Sequence, residues 1–149
     1  MSLSKYVSRV KTIPHNEQTV FNYLSNFENL SAYLNSGVIE KITQQVPQIK
    51  ITDFQSDRDS CKLNISGLGV AEIKIVNREP FKTIKIESSG KIPLSFTFWI
   101  QLLPVDSFTT KMRVTLHAEL NMMIKMMVGN KLEEGTDQLA ETLSGLPYK

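Results

Sequence analysis

The hydrophobic pattern of this chain changes its period along the sequence, and that change limits the folds open to it. Residues 5–13 alternate as a strand does, whereas residues 16–34 repeat apolar side chains at helical spacing. Residues 49–120 return to a period of two, and residues 122–144 form one long amphipathic helix. This last helix can bury its apolar stripe only against the strands before it. The sequence therefore predicts an α+β fold, a curved antiparallel β-sheet wrapped around a long C-terminal α-helix, with short helices after the first strand.

Short polar or glycine-containing segments divide the central region into strands. Connections of this length join antiparallel neighbours, since a parallel crossover needs about a dozen residues or more. A further short helix is predicted over 38–46, where it ends before Pro47. Turns are predicted at 57–60, 67–69, 78–80, 90–93 and 104–107, and the last two strands at 94–103 and 109–120.

Composition narrows the classes of function. The chain has 149 residues, of which 41% are hydrophobic and 21% charged, and these values are ordinary for one soluble domain. A formal net charge of +2 is too small for a nucleic-acid-binding protein, which needs a concentrated basic face. No segment approaches the ~18 apolar residues of a membrane span, and the N-terminus has no apolar signal segment. We therefore expect a single cytoplasmic domain over 1–149, with no nucleic-acid partner and no transmembrane segment.

Strand parity identifies the side chains that face the predicted helix. In the first strand Arg9 and Lys11 share one parity, so Tyr6, Ser8 and Val10 are expected to face inward. The inward positions carry no Asp, Glu, His, Lys or Arg, so no catalytic residue is assigned. Apolar side chains with a few hydroxyls are typical of a small-molecule pocket. The predicted cavity-lining residues are Tyr6, Ser8, Val10, Leu63, Ile73, Ile75, Ile86, Phe96, Phe98, Met112, Val114, Leu116, Val128, Leu132, Gly135 and Leu139.

A second group of large side chains lies off these inward positions. Met123, Met126 and Met127 fall mostly outside the apolar stripe of the last helix, and methionine suits an adaptable contact surface. Trp99 shares its parity with polar neighbours and should point outward. We interpret these four residues as a cavity rim or as a patch for a protein partner or a homodimer.

Nothing in the sequence indicates a metal site or a cofactor. The two histidines, His15 and His117, are expected at the surface, and Cys61 is the only cysteine, so the chain has no internal disulfide. Cys61 alternates with core aliphatic residues and should be a buried, unreactive thiol. We predict no cofactor, no metal and no catalytic residue.

Two segments resemble those of a known superfamily. In residues 10–30 a strand runs into Ile13-Pro14, then the apolar–aromatic pair Val20-Phe21, then Leu24-Ser25-Asn26, similar to that family's apolar-small-Pro, apolar-aromatic and Leu-x-Asp pattern. In residues 94–114 a strand ending at Pro104 leads through a turn to Thr109-Thr110 and Val114. With the element order, these segments resemble the helix-grip superfamily of birch-pollen-allergen-like proteins, START lipid-transfer domains and polyketide cyclase-like SRPBCC proteins. Asn26 replaces the family's Asp, and the second segment lacks its Gly.

The resemblance implies a single START/SRPBCC-like domain with a cavity between the concave sheet and the long helix, used for hydrophobic ligands such as lipids, quinones or polyketides. Three functions stay open. The first is the binding or transport of a hydrophobic small molecule or lipid, which the lack of inward charges favours. The second is a polyketide cyclase-like or other small-molecule enzyme using Tyr6, Ser8 or Cys61. The third is a protein-interaction module acting through the Met/Trp patch.

Overall fold

A computed structural model describes residues 2–29, 51–65, 69–90, 95–120, 122–146 and 148. The predicted helix over 38–46 and the second part of the helical segment 16–34 lie outside the described residues. So do residues 67–68 of the predicted turn at 67–69 and residues 91–93 of the predicted turn at 90–93. Among the described residues no helix combines the length and the apolarity needed to cross a bilayer.

The described strands form one antiparallel sheet in which neighbours in sequence are mostly neighbours in space. The order is β1-β8-β7-β6-β5-β4-β3, and β2 pairs with β8 beside β1, so the first and last strands of the chain lie together at one edge. The elements are β1 Ser2–Val7, β2 Lys11–Ile13, α1 Glu17–Leu24, β3 Ile51–Ser56, β4 Ser60–Ile65, β5 Gly69–Glu79, β6 Thr83–Gly90, β7 Ser95–Asp106, β8 Thr109–Leu120 and the C-terminal helix α2, Met122–Ser144.

The predicted α+β fold is confirmed, as are the strand at 109–120 and the helix at 122–144. Strand β7 is longer than predicted and continues through Pro104 to Asp106. Proline lacks the N–H group that a strand interior needs, but Pro104 lies where the register with β8 shifts, close to the hairpin turn. A proline at such an irregularity removes no regular ladder bond.

The first predicted strand is broken by a bulge at residues 8–10. Ser8 lies opposite Val114 and Lys11 lies opposite Met112, so the first strand has one residue more than its partner in this interval. One extra residue reverses which side chains face inward. The prediction that Val10 faces inward is therefore wrong, and its side chain is 57% exposed.

The same reversal places a charged residue on the inner face, where none was expected. Lys11 and Ile13 share the face of their partners on β8, and Ile13 is fully buried. The Lys11 Nζ donates to Glu141 Oε2 at 2.8 Å and lies 3.6 Å from Asp137 Oδ2, both on α2. These contacts raise the pKa of Lys11, with the Glu141 hydrogen bond as the main cause. Both carboxylates are solvent-accessible, so solvent screening keeps these ion pairs weak.

Helix α2 packs against β8, β1 and β2, but with a different face from the one that its leucines predicted. Thr136, Ala140 and Leu143 are buried, whereas Gly135 is exposed and Leu139 is 37% exposed, so the predicted inward position of these two residues is wrong. The rotation has two identifiable causes. The Arg9 N–H donates to Asp137 Oδ1 at 2.9 Å, which fixes one flank of the helix on the bulge. The Thr136 hydroxyl donates to the Leu132 carbonyl at 2.7 Å and so can be buried without loss.

One end of the sheet, which we call the closed end, carries the densest part of the core. Ile84, Ile100 and Val114 lie side by side on β6, β7 and β8, and all three are buried. Helix α1 covers them with Val20 and Leu24, which are also fully buried. The helix begins as predicted, because the Asn16 side chain accepts a hydrogen bond from the Thr19 N–H at 2.8 Å.

Candidate functional site

Away from the closed end, several large side chains on the inner face of the sheet are half-buried, although Ile86 and Ala118 on the same face are 1% exposed. At this end β8 leads into α2. We call this region the hollow. The half-buried side chains that define it are Tyr6 on β1, Ile73 on β5, Phe96 and Phe98 on β7, Leu116 on β8 and Leu132 on α2.

Pairing across the strands explains why these side chains share one face. Phe98 lies opposite both Ile86 and Leu116, and Tyr6 lies opposite Leu116 on the other side. The Phe96 and Phe98 rings stack with centroids 6.3 Å apart and planes at 24°. The result is a row of aromatic and aliphatic groups from β1 to β7 that presents apolar surface toward α2.

Few polar groups accompany this apolar surface. The Ser4 hydroxyl on β1, opposite Ala118, is buried and has no hydrogen-bond partner among the described residues. The Ser88 hydroxyl, on β6 beside the hollow, accepts the Phe96 N–H at 2.9 Å. The Lys11 ammonium points to the carboxylates of α2. Among the described residues no group of three His, Cys, Asp or Glu side chains is placed to hold a metal ion.

The structure brings together part of the predicted cavity lining and separates the rest. Tyr6, Ile73, Phe96, Phe98, Leu116 and Leu132 border the hollow. Val10, Gly135 and Leu139 are exposed, and the side chains of Leu63 and Val128 lie outside the described residues. The remaining predicted residues are buried in the packed core or in the bulge, and these are Ser8, Ile75, Ile86, Met112 and Val114.

Two of the three candidate nucleophiles, Ser8 and Cys61, are unsuited to catalysis. The Ser8 hydroxyl accepts the Val114 N–H and donates to the Arg9 carbonyl, each at 2.9 Å, so it serves the bulge. Burial raises the pKa of the Cys61 thiol to about 12. Neither group is arranged as an activated nucleophile, which needs an adjacent base or a lowered pKa.

We expect Cys61 to react very slowly with iodoacetamide at pH 8. A rise of the pKa from 9.0 to about 12 lowers the thiolate fraction roughly a thousandfold at that pH. Because the folded pKa lies above the unfolded one, the stability that the neutral thiol contributes is present below about pH 9 and is lost as the pH rises toward 12. Mass spectrometry of the alkylated chain, native against denatured, measures the difference, and equal rates would contradict the buried position.

Trp99 lies on the outer face of the sheet, as its parity predicted. Its ring contacts His117 edge to face at 4.7 Å, and Lys85 Nζ lies 5.8 Å from the ring centroid. Beside it, Gln101 Oε1 accepts from Arg113 Nε at 2.9 Å and from the Thr115 hydroxyl at 3.1 Å. A shallow surface cleft of about 290 Å³ lies here, lined by Lys5, Val7, Trp99, Gln101, Arg113, Thr115 and His117.

The Met/Trp patch that the sequence predicted is not one continuous surface. Met126 is 82% exposed at the start of α2, on the side of the sheet that the helix covers, whereas Trp99 lies on the opposite side. The side chains of Met123 and Met127 lie outside the described residues. The exposed Met122 and Met126 therefore form a surface that is separate from Trp99.

Sequence reasoning missed two features of this region, namely the Lys11 contact with α2 and the position of Thr136. A signal for the first was present. Ile13 is an apolar residue on the charged parity of the first strand, directly before Pro14, and this indicates a change of face within the strand. No comparable signal marks Thr136, whose burial depends on a hydrogen bond within the helix.

Comparison with known proteins identifies the fold. No protein-family model matches the chain, and no curated protein matches it in sequence. Solved structures do match: norcoclaurine synthase from Thalictrum flavum has a TM-score of 0.62 and 9% identity over 97% of this chain and 86% of that one. A Mesorhizobium loti protein has a TM-score of 0.62 and 16% identity, with 96% of each chain covered.

A conserved protein from Geobacillus kaustophilus is similar as well, with a TM-score of 0.59 and 14% identity over 94% of this chain and 88% of that one. At these identities the likeness concerns the fold alone. The order of strands, the antiparallel pairing and the helix held against the concave face agree with it. This chain has the helix-grip fold.

Proposed function

We propose that the protein binds a hydrophobic small molecule in the hollow between the sheet and α2. The observation that carries this proposal is the half-buried state of Phe96, Phe98 and Leu116 on the inner face, beside a closed end where comparable side chains are fully buried. Half-buried aromatic and aliphatic groups gain free energy when a ligand removes them from water, at about 25 cal/mol per Å². A concave, mostly apolar surface is the usual form of a small-molecule site.

The fold and the chemistry of the hollow support the same proposal. Structures of this fold include norcoclaurine synthase in complex with dopamine and hydroxybenzaldehyde, which are small aromatic molecules. In this chain the Ser8 hydroxyl is held in the bulge and the pKa of Cys61 is raised, so catalysis by these two groups is disfavoured. Binding without chemistry is the function that these residues support best.

A matched pair of variants tests the proposal, because neighbouring residues of β7 face opposite ways. We expect N-phenylnaphthylamine, an uncharged fluorescent dye, to bind the unmodified protein at one site. Phe98→Gln should weaken this binding about tenfold or more, since the amide loses aromatic contact and must be desolvated. Trp99→Gln, on the outer face, should change it less than about twofold. Fluorescence titration measures both affinities, after circular dichroism has verified that each variant is folded.

The opposite result would overturn the proposal. If only Trp99→Gln weakened dye binding, the dye would bind in the outer cleft that Trp99 and His117 line, and that surface would become the functional candidate. If neither variant changed the affinity for the dye, or if the unmodified protein bound no dye, the hollow would not be a binding site.

A further inference from the structure

The cleft on the outer face of the sheet carries positive charge that no neighbouring side chain neutralises. Lys5 and Arg113 line it and are exposed, and neither has an ion-pair partner among the described residues. His117 lies opposite Lys5 on the neighbouring strand. Of the described residues, those that line the cleft include no Asp or Glu, and the only outward carboxylate of β8, on Glu119, lies outside the lining. Two cations at a concave surface attract anions.

Hydrogen bonds orient the arginine of this cleft before any ligand is present. Gln101 Oε1 accepts from Arg113 Nε at 2.9 Å and from the Thr115 hydroxyl at 3.1 Å, and Thr115 is only 7% exposed. Arg113 lies directly opposite Gln101 in the ladder of β7 and β8, so the register holds the group together. With Nε engaged, Nη1 and Nη2 have no hydrogen-bond partner among the described residues. They can donate two bonds to a carboxylate or phosphate.

Apolar side chains form the rest of the cleft. Trp99 is half-buried, and Val7 is 47% exposed. Lys85, whose Nζ lies 5.8 Å from the centre of the Trp99 ring, pairs with Glu87 at 3.5 Å and so adds little net charge. The volume of about 290 Å³ is at the lower limit for small-molecule pockets. The cleft therefore suits a small ligand with one anionic part and one apolar part.

We propose that this outer cleft is a second binding site, which takes small organic anions. A carboxylate or phosphate group is bound by Lys5 and Arg113, and an aromatic or aliphatic part lies against Trp99 and Val7. The site does not depend on the proposed function, because it lies on the opposite face of the sheet and shares no residue with the hollow. Its chemistry differs as well, since charges at an exposed surface attract ligands less strongly when salt is added.

Trp99 is the only tryptophan of the chain, so its fluorescence reports directly on the cleft. We expect phenyl phosphate and benzoate to change its emission in a saturable way at about 0.1 M salt, and benzamide, the uncharged counterpart of benzoate, to bind about fivefold more weakly or less. Raising the salt to about 0.5 M should weaken only the two anions. Phenyl phosphate should bind more tightly because it carries more charge, and the reverse order would assign the site to carboxylates.

Substitutions that each remove one positive charge locate the binding. Lys5→Gln and Arg113→Gln should each weaken phenyl phosphate about threefold or more, because each removes a cation from the cleft. Lys111→Gln removes the same charge from the same face of β8 but outside the cleft, and should change the affinity less than about 1.5-fold. All three side chains are exposed, and circular dichroism verifies that the variants are folded.

Three results would overturn this second site. If neither anion changed the Trp99 emission in a saturable way, the cleft would bind no small organic anion. If Lys111→Gln weakened phenyl phosphate as much as Arg113→Gln did, the attraction would be a property of the whole face. If Phe98→Gln abolished anion binding and Arg113→Gln did not, the anions would bind in the hollow, and the proposed function would survive. The dye titration tests the hollow separately, so each proposal can fail alone.

Discussion

Replacing Ile100 by alanine is expected to lower the free energy of unfolding by about 2–4 kcal/mol. Its side chain is 2% exposed, lies between Ile84 and Val114 in the sheet and is covered by Val20 and Leu24 of α1. The loss combines the transfer free energy of the removed methyl and methylene groups with the cost of the cavity left behind. Because α1 is tied to β5 through Arg78, the surroundings have little freedom to collapse into that cavity. Urea denaturation followed by circular dichroism measures the change.

Leu103 on the same strand provides the control. It is 63% exposed on the outer face, so Leu103→Ala should change the free energy of unfolding by less than about 0.5 kcal/mol. If the two substitutions cost the same, the closed end would not be the packed core of the domain.

Replacing Ser8 by alanine is expected to cost about 1–3 kcal/mol, although the change removes only one oxygen atom. The Ser8 hydroxyl accepts the Val114 N–H at 2.9 Å in a buried position. Without it, this N–H has lost its acceptor at the bulge, and a buried donor without a partner pays its full desolvation cost. Equilibrium unfolding in urea measures this effect.

Ser8→Thr retains the hydroxyl and should recover most of the stability. Ser95→Ala, in an exposed position at the start of β7, should have little effect. A loss below about 0.5 kcal/mol for Ser8→Ala would mean that the bulge does not depend on this hydrogen bond.

The elements that the sequence predicts well have one regular hydrophobic period, and residues that end a strand or helix mark their limits. Strand β8 alternates without interruption between its first and last residues, and α2 is followed by Gly145 and Pro147. In such segments the local pattern agrees with the structure on where the element begins and ends, so the pattern alone determines its type and its bounds.

The predictions fail where one extra residue or one hydrogen bond changes which face of a strand or helix is buried. The bulge adds a residue to the first strand, which reverses the parity after Ser8 and moves Lys11 to the inner face. Amino-acid composition does not reveal such a bulge. In α2 the leucines predicted one stripe, but Gly135 and Leu139 are exposed, and Thr136 and Ala140 are buried together with Leu143. Asp137 contacts the bulge, so the error in the first strand and the error in the helix have a common origin.

The sequence predicted which residues of the candidate site face inward better than it predicted how deeply each of them is buried. Alternation correctly placed Phe96, Phe98 and Leu116 on the inner face, because parity depends on the strand alone. Their difference in burial from Ile100 depends on where α1 lies over the sheet, and no periodic pattern contains that information. Whether these residues bind a ligand stays a prediction.

The contacts of Arg9 and Lys11 with Asp137 and Glu141, together with the pairing of β1 along β8, join the beginning of the chain to its end. During synthesis β1 must therefore wait, without its partner, until β8 and α2 have emerged from the ribosome. Contacts of such long sequence separation slow folding and leave apolar surface uncovered in the nascent chain. Cotranslational folding of this domain is accordingly governed by β8 and α2, and chaperone demand should be greatest just before these two elements emerge.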